Sequence, residues 1–107
     1  MARLIWSESA LSDLDEIAEY IALDDLSAAK KLVQTIFQKL ERLEQHPQSG
    51  RRLPELKKTS YREVIANPCR IIYRVDKKDI YILHVIRGES QLRKYMLEER
   101  DKKTKKK

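Results

Sequence analysis

The sequence predicts an α+β domain in which an N-terminal strand leads into an antiparallel helical hairpin, followed by an antiparallel β-meander and a short C-terminal helix. Three observations carry this reading. Apolar residues recur at helical spacing from Ala10 to Leu43. After Ser60 the pattern changes to short β-branched and aromatic runs separated by turn residues. A brief apolar run at residues 2–6 precedes both. With 107 residues, 41% of them hydrophobic, the chain supplies one core and no second domain, despite 37% charged residues.

Residues 2–6 are too few for a helix and suit a strand, and Ser7 is placed to cap the helix that follows. In that helix Ala10, Leu11, Leu14, Ile17, Ala18 and Ile21 fall on one face, with Asp13, Asp15, Glu16 and Glu19 on the other. Asp24 and Asp25 interrupt the pattern. Ser27 then caps a second helix whose stripe is Ala29, Leu32, Val33, Ile36, Phe37, Leu40 and Leu43, ending near His46 ahead of Pro47. Residues 48–60 show neither period and contain Gly50, Pro54 and the cations Arg51, Arg52, Lys57 and Lys58, which reads as a surface loop. Strands follow at 61–66, 69–75 and 80–87, joined by Asn67-Pro68 and by the turn Asp76-Lys77-Lys78-Asp79. Gly88 ends the last strand, and Ser90 caps a short helix with Leu92, Tyr95 and Met96 on one face. Beyond Glu99 the chain has no apolar residue left to bury. The domain is therefore drawn at 1–100 and residues 101–107 are read as a disordered basic tail.

The second turn sets a register. Pairing Val75 with Ile80 puts Tyr73 opposite Ile82 and Ile71 opposite His84, while Arg74 meets Tyr81, Ile72 meets Leu83 and Arg70 meets Val85. One face, with Ile71, Tyr73, Val75, Ile80, Ile82, His84 and Ile86, packs on the helices, making His84 a core residue. The other presents Arg70, Arg74 and Arg87 among Ile72, Tyr81, Leu83 and Val85, a surface suited to an anionic or amphipathic partner. Arg70, early in a central strand, needs a counter-charge if buried, and Glu63 on the preceding strand is the candidate.

The formal charge of +6 divides unevenly: the last seven residues, DKKTKKK, contribute +4 and leave +2 for the body. One cysteine, Cys69, allows no internal disulfide, and no Cys/His cluster has zinc spacing, so neither structural metal nor cofactor is expected. No signal peptide and no run of eighteen apolar residues is visible, which places the protein in the cytoplasm with no membrane partner. With two glycines in the chain there is no phosphate-cradling loop, and neither HExxH nor a nucleophile elbow occurs.

Seven segments, in order, resemble the ParE branch of the ParE/RelE toxin superfamily: Leu4-Ile5-Trp6-Ser7; Ala10-Leu11-x-Asp13-Leu14; Ile17-Ala18-x-Tyr20-Ile21; the stretch from His46 to Leu56, HPQSGRRLPEL; Tyr61-Arg62-Glu63-Val64; the strand from Pro68 to Arg74, PCRIIYR; and the strand from Ile82 to Gly88, ILHVIRG. The resemblance covers about residues 2–95. It implies the toxin of a type II toxin-antitoxin pair, a group also described as plasmid stabilisation proteins. ParE-like members act by binding DNA gyrase, without catalysis of their own. RelE-like members are ribosome-dependent mRNA endoribonucleases, and a third possibility is a non-toxic interaction module of the same fold. Ribonuclease chemistry needs a base, an acid and cations over the phosphate. On the family pattern Arg70 and Arg87 match basic positions, Arg74 adds a third cation, Glu63 is the candidate base, and Tyr95 lies near a C-terminal tyrosine of some ribonuclease members. With His84 facing the core, the acid is missing, which favours the gyrase branch. The resemblance also implies a ParD-like antitoxin, acidic, whose C-terminal segment folds on binding along the helical hairpin and the sheet edge. Arg51, Arg52, Arg62, Arg74, Tyr81 and Leu83, with Lys57 and Lys58 nearby, are its candidate contacts, and direct nucleic-acid binding is not expected.

Overall fold

Side chains at the helix starts fix where the hairpin begins. The Ser7 hydroxyl accepts the backbone N–H of Ala10 at 3.1 Å, opening α1 (Glu8–Ala22). Asp25, and not Ser27, accepts the N–H of Ala28 at 3.1 Å and opens α2 (Leu26–Gln45), so the second helix starts earlier than the apolar spacing suggests. His46 caps its end, ahead of Pro47. The computed structural model describes residues 1–88 and 90–105.

The strands are β1 (Arg3–Trp6), β2 (Arg51–Arg52), β3 (Arg62–Ala66), β4 (Cys69–Asp76) and β5 (Asp79–Arg87), in the sheet order β1-β5-β4-β3-β2. β1 lies parallel to β5, and all other pairings are antiparallel. The predicted loop at 48–60 contains more order than its composition signals: β2 pairs Arg51 with Glu63 and Arg52 with Arg62, and Pro54–Leu56 forms a single 3-10 turn.

The helical hairpin covers one face of the sheet. Ala10, Leu14, Leu32, Ile36, Leu40 and Leu43 pack on Ile71, Tyr73, Ile80, Ile82 and Val85. Two members of the predicted stripes, Leu11 and Phe37, remain 44% and 41% exposed.

The predicted register holds from the turn to Tyr73–Ile82 and then slips. A bulge leaves Leu83 without a direct partner, so Ile72 pairs with His84, Ile71 with Val85 and Arg70 with Ile86. The extra residue reverses the faces beyond it. Val85 joins the helix-side core and Ile86 the opposite one, the reverse of the expected arrangement. Little in the sequence marks the bulge, since apart from His84 the residues around it are apolar.

The opposite face is not open. α3 (Lys94–Lys105) starts four residues after Ser90 and continues past the expected end of the domain at residue 100. Its anchor is Leu97, 1% exposed, packed with Leu53, Tyr61, Ile72, Tyr81, Leu83 and Ile86, whereas Tyr95 and Met96, expected on the buried face, are 65% and 39% exposed. Residues 101–105 are therefore helix and not a disordered tail; residues 106 and 107 lie outside the described residues. Among the described residues no helix is long and apolar enough to cross a membrane.

Gly50 marks a close approach. Its N–H donates to the Tyr73 hydroxyl at 2.9 Å, and that hydroxyl donates to the Pro47 carbonyl at 2.8 Å. A Cβ at residue 50 would stand 2.7 Å from the Glu63 carbonyl oxygen, so only glycine fits.

Candidate functional site: charge networks and the apolar groove

The predicted cations separate into different places, and Arg51, Arg70 and Arg74 each meet a carboxylate there. At the β2 edge, Glu63 is buried on β3 and accepts Arg51 Nε at 2.5 Å and Arg70 Nε at 2.6 Å. Strand pairing creates this arrangement, since Glu63 lies opposite Arg51 on one side and Ile72, two residues beyond Arg70, on the other. The remaining guanidinium nitrogens of Arg70 make a bidentate pair with Glu55 at 2.8 and 2.9 Å. That fork geometry is among the strongest side-chain contacts available. Its hydrogen bond holds the Glu55 carboxyl below the ordinary value, and the same bond raises Arg70. The expected partner Glu63 is thus present, while Glu55, in what read as loop, was not foreseen. Arg62 donates to the Gly50 carbonyl at 2.8 Å, and Arg52 is exposed.

A second network lies under α3. Arg74 is 8% exposed, donates from Nε to Asp101 at 2.7 Å, and stacks with its guanidinium carbon 4.7 Å from the Tyr81 ring centre. The Tyr61 hydroxyl donates to the other Asp101 oxygen at 3.1 Å. Burial, reinforced by the Asp101 charge, pushes the Tyr61 hydroxyl up to about 12. Arg74, Tyr81 and Leu83 were expected on an open partner-binding face; α3 covers them, at 8%, 9% and 0% exposure. Asp101 was missed because a lone acid in a lysine run resembles solvated tail, although it falls one helical turn after Leu97.

The third network joins α1, β5 and α3. Asp13 accepts the Val85 N–H at 3.0 Å and two nitrogens of Arg100, at 2.5 and 3.1 Å. β1 stops pairing at Trp6–Ile82, so beyond that point β5 needs another acceptor on this side. Asp13, placed on the polar face in the sequence reading, supplies it; its spacing of three from Ala10 and four from Ile17 was the available signal. His84 is 8% exposed with Nδ1 3.5 Å from Asp13. Burial lowers its titration to about 4, outweighing the attraction of Asp13.

Arg87, the last predicted cation, is half-buried and stands 5.4 Å from the Tyr20 ring centre on α1. Arg70, Arg74 and Arg87 therefore do not share a phosphate-sized site with Glu63. On the outer side of the hairpin, Ala18, Ala22, Leu26, Ala29 and Val33 line a shallow apolar groove of about 450 Å³. No group of three metal-ligating side chains exists among the described residues.

A helical hairpin laid over a five-stranded sheet, with paired cations at the sheet edge and an apolar groove on the hairpin, makes a small α+β protein with surfaces suited to a charged, amphipathic partner. The sequence matches the family described as ParE toxin of type II toxin-antitoxin system, parDE, over residues 4–92, and the chain belongs to that family. A curated relative in Sinorhizobium fredii (strain NBRC 101917 / NGR234), named "Putative toxin Y4kP", is 38% identical over 90 residues, covering 83% of this chain and 91% of the relative. A solved structure described as the chromosomal ParDE TA system from P. aeruginosa superposes with a TM-score of 0.66 at 31% identity, covering 83% of this chain and 98% of that one.

Proposed function

We propose that this ParE-family toxin acts by binding DNA gyrase so that cleaved DNA accumulates, and that a ParD-like antitoxin neutralises it. The observation that carries the reading against ribonuclease activity is the commitment of the candidate catalytic groups. Arg70 is held by two carboxylates, Arg74 is buried against Asp101, and Arg87 lies beside Tyr20. Glu63, the candidate base, bridges two guanidiniums with no exposed side-chain surface. Such networks suit a rigid binding surface better than proton transfer.

The antitoxin's amphipathic segment would lie in the groove between α1 and α2, with acidic residues meeting Arg51, Arg52 and Arg62 at the β2 edge, and Lys57 and Lys58 close by. Arg74, Tyr81 and Leu83 are dropped from this surface because they are buried.

Purified protein incubated with gyrase, ATP and supercoiled plasmid should yield linear, cleaved DNA. Unaltered supercoiling over a wide concentration range would reject the gyrase reading. Ribosome-dependent mRNA cuts that disappear in Arg70→Ala would install the ribonuclease in its place, and harmless expression of the chain alone would favour the interaction module.

A further inference from the structure

Treated as a disordered tail, the C-terminal lysines say little about a partner. Their position in the fold says more. α3 runs back over the sheet and ties its last turns to the end of β4: Arg74 meets both Asp101 and Thr104, the latter at 3.3 Å. Three residues beyond Arg74 is the β4–β5 turn, so Lys77 lies within about 10 Å of that junction along the strand. Lys77, Lys78, Lys102 and Lys103 are all exposed, and none has an ion-pair partner among the described residues. Of the nearby acids, Asp79 pairs with Arg3 and Asp101 with Arg74 and Lys105, while Asp76, 3.8 Å from Arg74, still faces solvent.

Two further observations mark this end of the molecule. Lys77 has a φ of 58°, at the loop position where glycine is the favoured residue, yet a lysine occupies it. Beside α3, Lys103, Thr104, Arg100, Tyr81, Ser9 and Ser7 line a cavity of about 420 Å³, with Glu8 also on its wall. α3 lies past residue 92, where the family match ends, whereas Lys77 and Lys78 fall within it, so only the α3 half of this surface lies outside what the ParE family match describes.

We propose that the end of the sheet formed by the β4–β5 turn and the second half of α3 is a surface that binds the phosphate backbone of nucleic acid. Lysines are depleted from protein–protein interfaces, which favour aromatic groups and arginine. Sequence-independent backbone binding, in contrast, is built from such flexible point charges. The surface is distinct from the β2 edge and the hairpin groove assigned to the antitoxin, and it does not depend on gyrase being the target.

The test is fluorescence anisotropy with a labelled 20-bp DNA duplex and a single-stranded RNA of equal length, between 50 and 200 mM salt, without gyrase. Four lysines each neutralising one phosphate give a log–log salt slope of about −3.6 on duplex DNA, a loss of roughly a hundredfold in affinity across that range. The variant K77Q/K78Q/K102Q/K103Q should lose most of that slope, while K30Q/K31Q, on the exposed surface of α2, should bind as the parent does. Binding of either nucleic acid with this dependence supports the surface, and the tighter one names the source of the phosphates. No binding at 50 mM salt, or an unchanged slope in the quadruple variant, overturns the proposal. Because all four side chains are exposed, the thermal midpoint should stay near the parent value, and a matching midpoint ensures that lost binding is not lost folding.

Discussion

Asp101 offers the sharpest test of how the C-terminal segment contributes. Its side chain is 4% exposed and is the shared acceptor for Arg74 and Tyr61. In Asp101→Ala the Arg74 guanidinium stays buried against Tyr81, with Thr104 at 3.3 Å and a largely exposed Asp76 at 3.8 Å as its remaining partners. Removing one member of a buried pair costs about 3–5 kcal/mol, because the other charge is left without compensation. Total stability for a domain of this size is about 5–15 kcal/mol, so the loss is a large fraction of it. The assay is urea unfolding followed by circular dichroism, with the midpoint falling at a nearly constant m value. Replacing both members, as in Arg74→Met with Asp101→Leu, should recover most of the loss, since apolar groups of similar volume often match a buried ion pair. The two single substitutions would then be strongly non-additive. A cost below about 1 kcal/mol for Asp101→Ala, or simple additivity in the double variant, would refute the reasoning. A deletion ending at Arg100, harmless if the tail were disordered, should lose stability to a similar degree because it removes Asp101.

Two other perturbations follow from named contacts. Gly50→Ala forces a Cβ to 2.7 Å from the Glu63 carbonyl oxygen, which sits in a strand and cannot yield, so a loss of about 1–3 kcal/mol in urea unfolding is expected, only partly relieved by Tyr73→Phe. His84 titrates near 4 in the fold, below the ordinary value of 6.5, with Asp13 and Arg100 facing it. The neutral ring is therefore the stabilised form: its contribution is complete above about pH 6.5 and is lost as pH falls toward 4. His84→Leu should flatten that part of the stability curve by on the order of 2–3 kcal/mol relative to the parent, and a parallel curve would dismiss the assignment.

The hairpin and the three meander strands were legible because each buries one face through a regular period, and Ser7 and Pro47 punctuate them. What stayed hidden has physical causes. The bulge at Leu83 was hidden because β5 is apolar on both faces around it apart from His84, whose place on the expected core face was the one polar sign of a shift. α3 escaped because it is held by Leu97 and a buried acid and not by an apolar stripe; its exposed Tyr95 and Met96 pointed to the wrong face. At the charged edge, Glu63 was identified from its place beside Arg70. Glu55 was not, since its approach depends on the 3-10 turn at Pro54–Leu56, which has no periodic signature.

The parallel pairing of β1 with β5 also bears on how the protein is made. Arg3 registers with Asp79 and Trp6 with Ile82, so β1 finds its neighbour only in a strand made 76 residues later. During translation β1 waits beside helices that have no sheet to cover. Contacts this distant along the chain slow folding, because the intervening loop must be closed before they form. A product that stops before β5 leaves both cores without the strand that joins β1 to β4. The surfaces that the sheet positions therefore exist only once β5 has been made and β1 has found it.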